Sequence, residues 1–167
     1  QRLYMSLNSF PFLAIPFFIL AGELMNTGGI TKRIVNFSSV LMGHFPGNLA
    51  HVNVVSSIIM AGFSGSATAD AVAVGSVMIP AMKEDGYPAG FSAGITAASS
   101  CIGPIIPPSI VMVLYGAVTG LSVGTMFIGG IIPGLAIGIA LMVIVAYYAK
   151  KNQWPKGEKP TFKNVIK

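Results

Sequence analysis

Asp70 is an acidic residue deep inside an apolar stretch, and the segment before it, Ser64 to Ala69, consists of small and hydroxyl-bearing residues. A charge near the centre of a bilayer costs at least about 2.5 kcal/mol, so by default such a residue is functional. The structural alternative is that the Asp70 carboxylate accepts backbone N–H groups and caps the helix that follows. We predict that Asp70 is this cap, and that it orders a binding site in the segment before it.

A second candidate segment is the proline-rich run from Gly103 to Ser109 (GPIIPPS), which interrupts another apolar stretch. Each proline lacks a backbone donor and clashes with the preceding helical turn, so a helix must break there. A break frees backbone carbonyls that can bind a cation, and it exposes the N-terminus of a half-helix that can bind an anion. Two interrupted segments in one chain are typical of a transporter site.

We predict that a sodium ion, with no further cofactor, binds where the hydroxyl-rich segment meets the proline-rich run. The prolines free carbonyl oxygens, which hard cations prefer, and the glycines let the backbone bend. The expected ligands, mostly through backbone carbonyls, are Ser64, Gly65, Ser66, Gly103, Pro104, Pro107 and Ser109. The expected substrate-binding residues are Ser64, Gly65, Ser66 and Thr68. The plainer alternative for the hydroxyls is hydrogen bonding between membrane helices.

The composition places these segments in a membrane protein. Of the 167 residues, 53% are hydrophobic and 9% are charged, whereas a soluble globular domain carries about 25% charged residues. The net charge of +5 arises from basic residues at the ends of apolar segments, without an aromatic-interleaved basic patch, so no nucleic-acid partner is expected. The single cysteine, Cys101, lies among small residues, which indicates a packed, inert thiol.

Polar turns divide the chain, and the expected fold class is an all-α polytopic membrane protein. We predict a first span and an interfacial arm helix, the latter from Thr31 to Phe45, in residues 1–47, and a re-entrant helical hairpin in 48–85. A proline-broken transmembrane helix follows in 86–120, a further transmembrane helix, with its span from Met126 to Ala149, in 121–151, and a polar basic linker in 152–167. Gly130, Gly134 and Gly138 lie four residues apart on one face of the last span, which predicts close helix packing. The basic residues that follow the spans would then all lie on the cytoplasmic side.

The predicted hairpin has two apolar arms, Leu49 to Phe63 and Ala71 to Met82, around a polar centre from Ser64 to Asp70. Each arm is shorter than the roughly 20 residues of a full crossing, and the polar centre could not face lipid. A hairpin that enters and leaves on one side, with its tip buried in protein, meets both constraints. Two short full spans would give the same distribution of charges, so the charges do not exclude them.

The runs Gly62 to Asp70 (GFSGSATAD) and Gly103 to Ile110 (GPIIPPSI), with Ile79, Pro80 and Met82 between them, closely resemble the large permease (M) subunit of TRAP (tripartite ATP-independent periplasmic) transporters. The resemblance covers nearly the whole chain and corresponds to the N-terminal half of such a subunit, which contains two inverted repeats. It implies one inverted repeat, in which the first run forms a hairpin tip and the second forms the break in the neighbouring helix.

The same resemblance implies a function. Such a subunit is the permease of a sodium-coupled, binding-protein-dependent secondary transporter in the bacterial inner membrane. It imports small organic anions, such as C4-dicarboxylates or sialic acid, by an elevator-type mechanism. The implied partners are a small membrane (Q-type) subunit, a periplasmic substrate-binding protein, the remaining half of the permease and the lipid bilayer. No catalytic residue is implied, and the chain is not expected to be an enzyme.

Intramembrane proteolysis and ion conduction are the alternatives to transport. The tetrapeptide Gly62 to Gly65 matches the Gly-x-Ser-Gly of rhomboid-type intramembrane serine proteases, but their base is normally a histidine from a later span, and both histidines precede Ser64. An aspartyl protease would need a second intramembrane acid beside Asp70, and Glu23, at a span end, is interpreted as interfacial. An ion channel is the other alternative, although no Thr-Val-Gly-Tyr-Gly filter sequence occurs.

Overall fold

The structure is a computed structural model that describes residues 10–154, and within them it contains seven helices and no β-strand. In chain order the helices are α1 (Phe10–Thr27), α2 (Ile30–Met42), α3 (Asn48–Ser64), α4 (Ala67–Glu84), α5 (Ala89–Ser100), α6 (Ile110–Thr119) and α7 (Val123–Lys151). The predicted all-α class is therefore confirmed for the described residues. Most of the predicted basic linker, from residue 155 onward, lies outside them.

By length and composition, α7 could cross a membrane. It has 29 residues, and an 18-residue window within it has a mean hydropathy of 2.5. At 1.5 Å per residue it is roughly 40 Å long, enough for the hydrocarbon core and part of the headgroup regions. The predicted span from Met126 to Ala149 lies inside this helix, which starts earlier because the Ser122 hydroxyl accepts a 3.4 Å hydrogen bond from the Thr125 N–H.

α3 and α4 run antiparallel and are joined by a turn of two residues. Next to this turn the Ser64 hydroxyl donates to the Asp70 carboxylate, and at the opposite end the Tyr87 hydroxyl donates to Asn48 Oδ1 at 3.4 Å. The pair is therefore a helical hairpin whose outer ends lie side by side. Its re-entrant course through the bilayer stays a prediction.

α5 and α6 are the two halves of an interrupted helix, in agreement with the break predicted from the prolines. α5 ends at Ser100, so the break comprises residues 101–109 and begins two residues before the predicted run. Cys101 is consequently the first residue outside α5, and its thiol is exposed in this chain. The expectation of a packed thiol at Cys101 is wrong.

A buried hydrogen-bonded seam joins α3 to α5. Asn53 Nδ2 donates to Thr96 Oγ1 at 2.7 Å, and the hydroxyl oxygens of Ser57 and Ser99 lie 2.9 Å apart. All four side chains are at most 2% exposed. Polar groups buried between helices need such partners because no water reaches them. The seam fixes the first arm of the hairpin against the first half of the broken helix.

The glycines of α7 form the face on which the other helices pack. Gly130, Gly134 and Gly138 are buried. A β-carbon at Gly138 would come 2.6 Å from Ile58 Cδ1 in α3, and one at Gly134 would collide with Ile106 in the break. The close helix packing predicted from this glycine spacing is confirmed.

α2 is the helix that leads into the hairpin. It ends at Met42, three residues before the predicted end at Phe45. Gly47, in the left-handed region with φ of 72°, then turns the chain into α3, and a β-carbon there would come 2.7 Å from Ala149 Cβ at the end of α7. The corner between α2 and α3 is thus packed against α7, while the interfacial location of α2 stays a prediction.

Candidate functional site

Ser66, and not Asp70, is the N-cap of α4. Its backbone is extended, with φ of −136° and ψ of 121°, and its hydroxyl accepts a 3.4 Å hydrogen bond from the Ala69 N–H. Asp70 is already within the first turn of the helix, so the prediction that its carboxylate caps the second arm is wrong. For the same reason, the predicted polar centre of residues 64–70 shortens to Gly65 and Ser66.

Asp70 is fully buried beneath the hairpin tip. One carboxylate oxygen, Oδ1, accepts a 2.5 Å hydrogen bond from the Ser64 hydroxyl. The other, Oδ2, is buried and has no hydrogen-bond partner in the described part of the chain. A charged oxygen without a partner in apolar surroundings is costly, and a bound cation would remove that cost. Asp70 Oδ2 is therefore a candidate cation ligand.

Gly103 brings the break against this oxygen. A β-carbon at Gly103 would lie 2.7 Å from Asp70 Oδ2, 3.2 Å from the backbone carbon of Ser66 and 3.2 Å from the Ser100 carbonyl oxygen. The approach is open because glycine has no side chain. The two interrupted segments, which are far apart in sequence, therefore meet at the place where a shared site was predicted.

Ser109 closes the break from its other end. Its hydroxyl donates to the Pro104 carbonyl oxygen at 2.6 Å and accepts from the Met112 N–H at 3.2 Å, which makes it the N-cap of α6. Two of the predicted sodium ligands, the hydroxyl of Ser109 and the carbonyl of Pro104, thus bond to each other. Pro107, a third, is linked to Pro108 by a cis peptide bond. The Pro108 carbonyl oxygen lies against Gly65 in the turn of the hairpin.

A cavity of about 520 Å³ lies over the hairpin tip. Three of the four predicted substrate-binding residues line it, namely Ser64, Ser66 and Thr68. The hydroxyl oxygens of Ser66 and Thr68 are 3.1 Å apart. The fourth predicted residue, Gly65, packs against the break, where a β-carbon would lie 3.2 Å from Ser109 Cα. The cavity has the volume of a small-molecule site.

Glu23 also lines this cavity, and sequence reasoning missed it. The structure places α1 across the hairpin tip, where a β-carbon at Gly22 would be 4.0 Å from Ser64 Cα. Glu23 was interpreted as interfacial, but the structure places it on the same cavity as the hydroxyl-bearing residues of the tip. The available signal was an acid next to a glycine inside an apolar run, which indicates close helix approach beside a polar site.

The histidines lie elsewhere. His51 precedes Ser64 by 13 residues in α3, roughly 20 Å along the helix, and lines a separate cavity with Phe45 and Trp154. The His44 ring lies against Phe45, with ring centroids 4.2 Å apart. Within the described residues, no histidine is therefore within hydrogen-bond reach of Ser64. This geometry does not favour the serine-protease alternative.

The whole chain, residues 1–167, matches the family described as "Tripartite ATP-independent periplasmic transporter, DctM component". It is 50% identical over 161 residues to the sialic acid TRAP transporter permease protein SiaT of Haemophilus influenzae, covering 96% of this chain and 26% of that protein. It is 44% identical over 165 residues to the 2,3-diketo-L-gulonate TRAP transporter large permease protein YiaN of Escherichia coli, covering 99% and 39%.

A third relative is the C4-dicarboxylate TRAP transporter large permease protein DctM of Vibrio cholerae, 44% identical over 155 residues that cover 93% of this chain and 34% of that protein. The chain thus spans between about a quarter and two fifths of the length of these relatives. All three are named as permeases and none as an enzyme, in agreement with the expectation of a non-enzymatic membrane protein. By its match over the full length and these identities, the chain belongs to the DctM component family of tripartite ATP-independent periplasmic transporters.

Proposed function

We propose that this chain is part of a multi-pass permease of the bacterial inner membrane that imports small organic anions, coupled to sodium and dependent on a binding protein. Family membership supports the transporter class. The three relatives are named for sialic acid, 2,3-diketo-L-gulonate and C4-dicarboxylates, and all of these solutes carry carboxylate groups. A small carboxylate is accordingly the proposed class of substrate.

The observation that carries the sodium proposal is the buried Oδ2 of Asp70, which lies beside Gly103 and has no hydrogen-bond partner among residues 10–154. Sodium is a hard cation and takes oxygen ligands. Asp70 would supply one charged oxygen directly, instead of acting only through the backbone as the sequence suggested. The residues present fit such an ion because the absence of a side chain at Gly103 lets the break come close to the carboxylate, and helix interruptions on both sides supply further carbonyls.

The other proposed ligands come from the two interrupted segments. On the hairpin side they are the backbone and hydroxyl oxygens of Ser64, Gly65 and Ser66. On the break side they are oxygens of Gly103, Pro104, Pro107 and Ser109. An ion held by both sides would bind better when tip and break are together. It would therefore link sodium binding to the conformation of the site.

The substrate would meet the hydroxyls of Ser66 and Thr68, which line the tip cavity. In the described part of the chain, the lining of this cavity includes an acid and no basic side chain. We therefore propose that the positive group facing the substrate carboxylate comes from the remainder of the permease. A small membrane subunit and a periplasmic binding protein are the proposed partners, in keeping with the tripartite description of the family. An elevator-type movement is the proposed mechanism.

The test is uptake into proteoliposomes by the full-length permease with its small subunit and binding protein, measured over a range of sodium concentrations. Asp70→Asn should raise the sodium concentration for half-maximal uptake about tenfold or more, the equivalent of about 1.4 kcal/mol of binding. Glu84→Gln is the matched control, because Glu84 is an exposed acid at the far end of the same helix. Unchanged sodium dependence in Asp70→Asn would place the ion elsewhere.

The same preparation separates a transporter from a channel. A transporter should show saturable uptake that requires the binding protein, whereas a channel should conduct ions without it. Sodium-driven accumulation of solute against its own gradient is the result expected here. Conductance that is independent of the binding protein would favour the channel.

A further inference from the structure

Glu23 is a charged side chain on the wall of the tip cavity, and neither the predicted ion site nor the predicted substrate site includes it. Glu23 lies in α1, and it lines the cavity together with Ser64 and Thr68 of the hairpin. An acid inside an apolar helix, next to a polar cavity, is by default a functional residue. The position of Glu23 therefore needs an explanation other than membrane anchoring.

The contacts connect Glu23 to Asp70 through the cavity. Gly22 allows α1 to approach the hairpin tip at Ser64. The Ser64 side chain faces the cavity on one side and donates to Asp70 Oδ1 on the other. An exposed carboxylate, a hydroxyl and a buried carboxylate thus follow one another from the open cavity to the base of the tip.

We propose that Glu23 makes the potential negative on its side of the tip cavity, so that cations collect there and the carboxylate groups of a substrate are directed away from it. Clefts lined by one sign of charge between low-dielectric walls raise the local concentration of the opposite ion. A cation would collect near Glu23 and pass the Ser64 hydroxyl to Asp70. The carboxylate groups of a substrate would be kept away from Glu23, and an uncharged part of the substrate would face Ser66 and Thr68.

The role of Glu23 in sodium access rests on the proposed sodium coupling, but the sign of the potential can be measured without transport. A single reporter cysteine, Val72→Cys, is placed in the full-length permease with Cys101→Ser and any other cysteines replaced. Val72 lines the cavity and is 69% exposed, and it belongs to neither proposed binding site. The rates of its reaction with a positively charged and a negatively charged methanethiosulfonate reagent are compared.

Removal of the charge by Glu23→Gln should lower the ratio of the positive-reagent rate to the negative-reagent rate by about threefold or more, as expected for one unit charge several ångströms away in water-like surroundings. Glu23→Asp should keep the ratio near that of the parent. Glu84→Gln, which removes an exposed acid lining a different cavity, should leave it unchanged. Ala69→Cys, also exposed and on the cavity wall, is the second reporter and should give the same order of variants.

The second readout is the sodium dependence of uptake. Glu23→Gln should raise the half-saturating sodium concentration about threefold with little change in the maximal rate. A reagent ratio in Glu23→Gln equal to that of the parent, at both reporters, would overturn the inference. If the parent itself shows no sodium-dependent uptake, the proposed function fails, while the reagent ratio still decides whether Glu23 controls the potential.

Discussion

Gly65 lies so close to Pro108 that a β-carbon at position 65 would come 2.5 Å from the Pro108 carbonyl oxygen. Gly65 also has a φ of 58°, in the left-handed region that favours glycine. The turn of the hairpin and the loop of the broken helix therefore touch backbone to backbone. With the contact between Gly103 and Asp70, this gives two places where the interrupted segments fit together without a side chain between them.

Gly65→Ala tests the first of these contacts. The substitution adds backbone strain and a clash with a carbonyl oxygen, so we expect it to destabilise the full-length permease by about 1–3 kcal/mol beyond the strain alone. Gly86→Ala is the matched control, because Gly86 has a φ of 87° and free space around a β-carbon. Thermal unfolding of the purified proteins measures the difference. Equal losses for the two variants would show that the contact with the break contributes nothing.

Gly103→Ala tests the second contact. Its β-carbon would displace the Asp70 carboxylate, so the half-saturating sodium concentration should rise about tenfold, the equivalent of about 1.4 kcal/mol. The control is Gly94→Ala in α5, where a β-carbon meets no atom within 4 Å and alanine favours the helix. Sodium titration of uptake compares them. A normal sodium dependence in Gly103→Ala would mean that Asp70 Oδ2 does not bind the ion.

The seam between α3 and α5 can be measured by a double-mutant cycle. Ser57→Ala and Ser99→Ala should each destabilise the permease, and the double variant should show a coupling energy of about 0.5–1 kcal/mol, as for other hydrogen bonds between membrane helices. Ser76→Ala is the control, since the Ser76 hydroxyl donates to the Ala73 carbonyl of its own helix. Unfolding free energies in detergent give the coupling. Strict additivity would argue against a hydrogen bond between the two serines.

Two adjacent glycines of α7 provide the sharpest packing comparison. Gly130 is buried, and a β-carbon there would collide with the Ile105 carbonyl oxygen and come 2.6 Å from Met112 Cε. Gly129 has free space around its β-position. Gly130→Ala should therefore lower the free energy of unfolding by about 1–3 kcal/mol, whereas Gly129→Ala should be neutral or stabilising. A larger loss of stability in Gly129→Ala than in Gly130→Ala would mean that the break does not pack against α7.

The sequence predicted the features that depend on local chemistry. The prolines from Pro104 to Pro108 interrupt a helix whatever the surrounding tertiary structure, and the long apolar run in α7 predicts a long helix. The spacing of glycines on α7 indicated a packing face because close approach needs small residues. These predictions did not depend on which segments meet in three dimensions.

The wrong predictions concern features that depend on which of two nearby residues caps a helix, or on a contact between residues far apart in the sequence. Ser66 and Asp70 could each begin a helix, and the serine does so because it directly follows the left-handed Gly65. The role of Glu23 depends on α1 crossing the hairpin tip, and this long-range contact cannot be predicted from the local sequence pattern. The pairing of Asn53 with Thr96 likewise joins residues 43 positions apart. Periodicity cannot select such partners among many buried hydroxyls and amides.

The two kinds of contact around α3 differ in how they resist sliding. Hydrogen bonds of the seam exist in one register only, because a shift along the helix axis separates donor from acceptor. The contact that Gly138 of α7 makes with Ile58 of α3 is apolar, so a shift along the helix axis separates no donor from its acceptor there. If the proposed elevator-type movement takes place, we therefore expect the hairpin and the first half of the broken helix to move together as one unit.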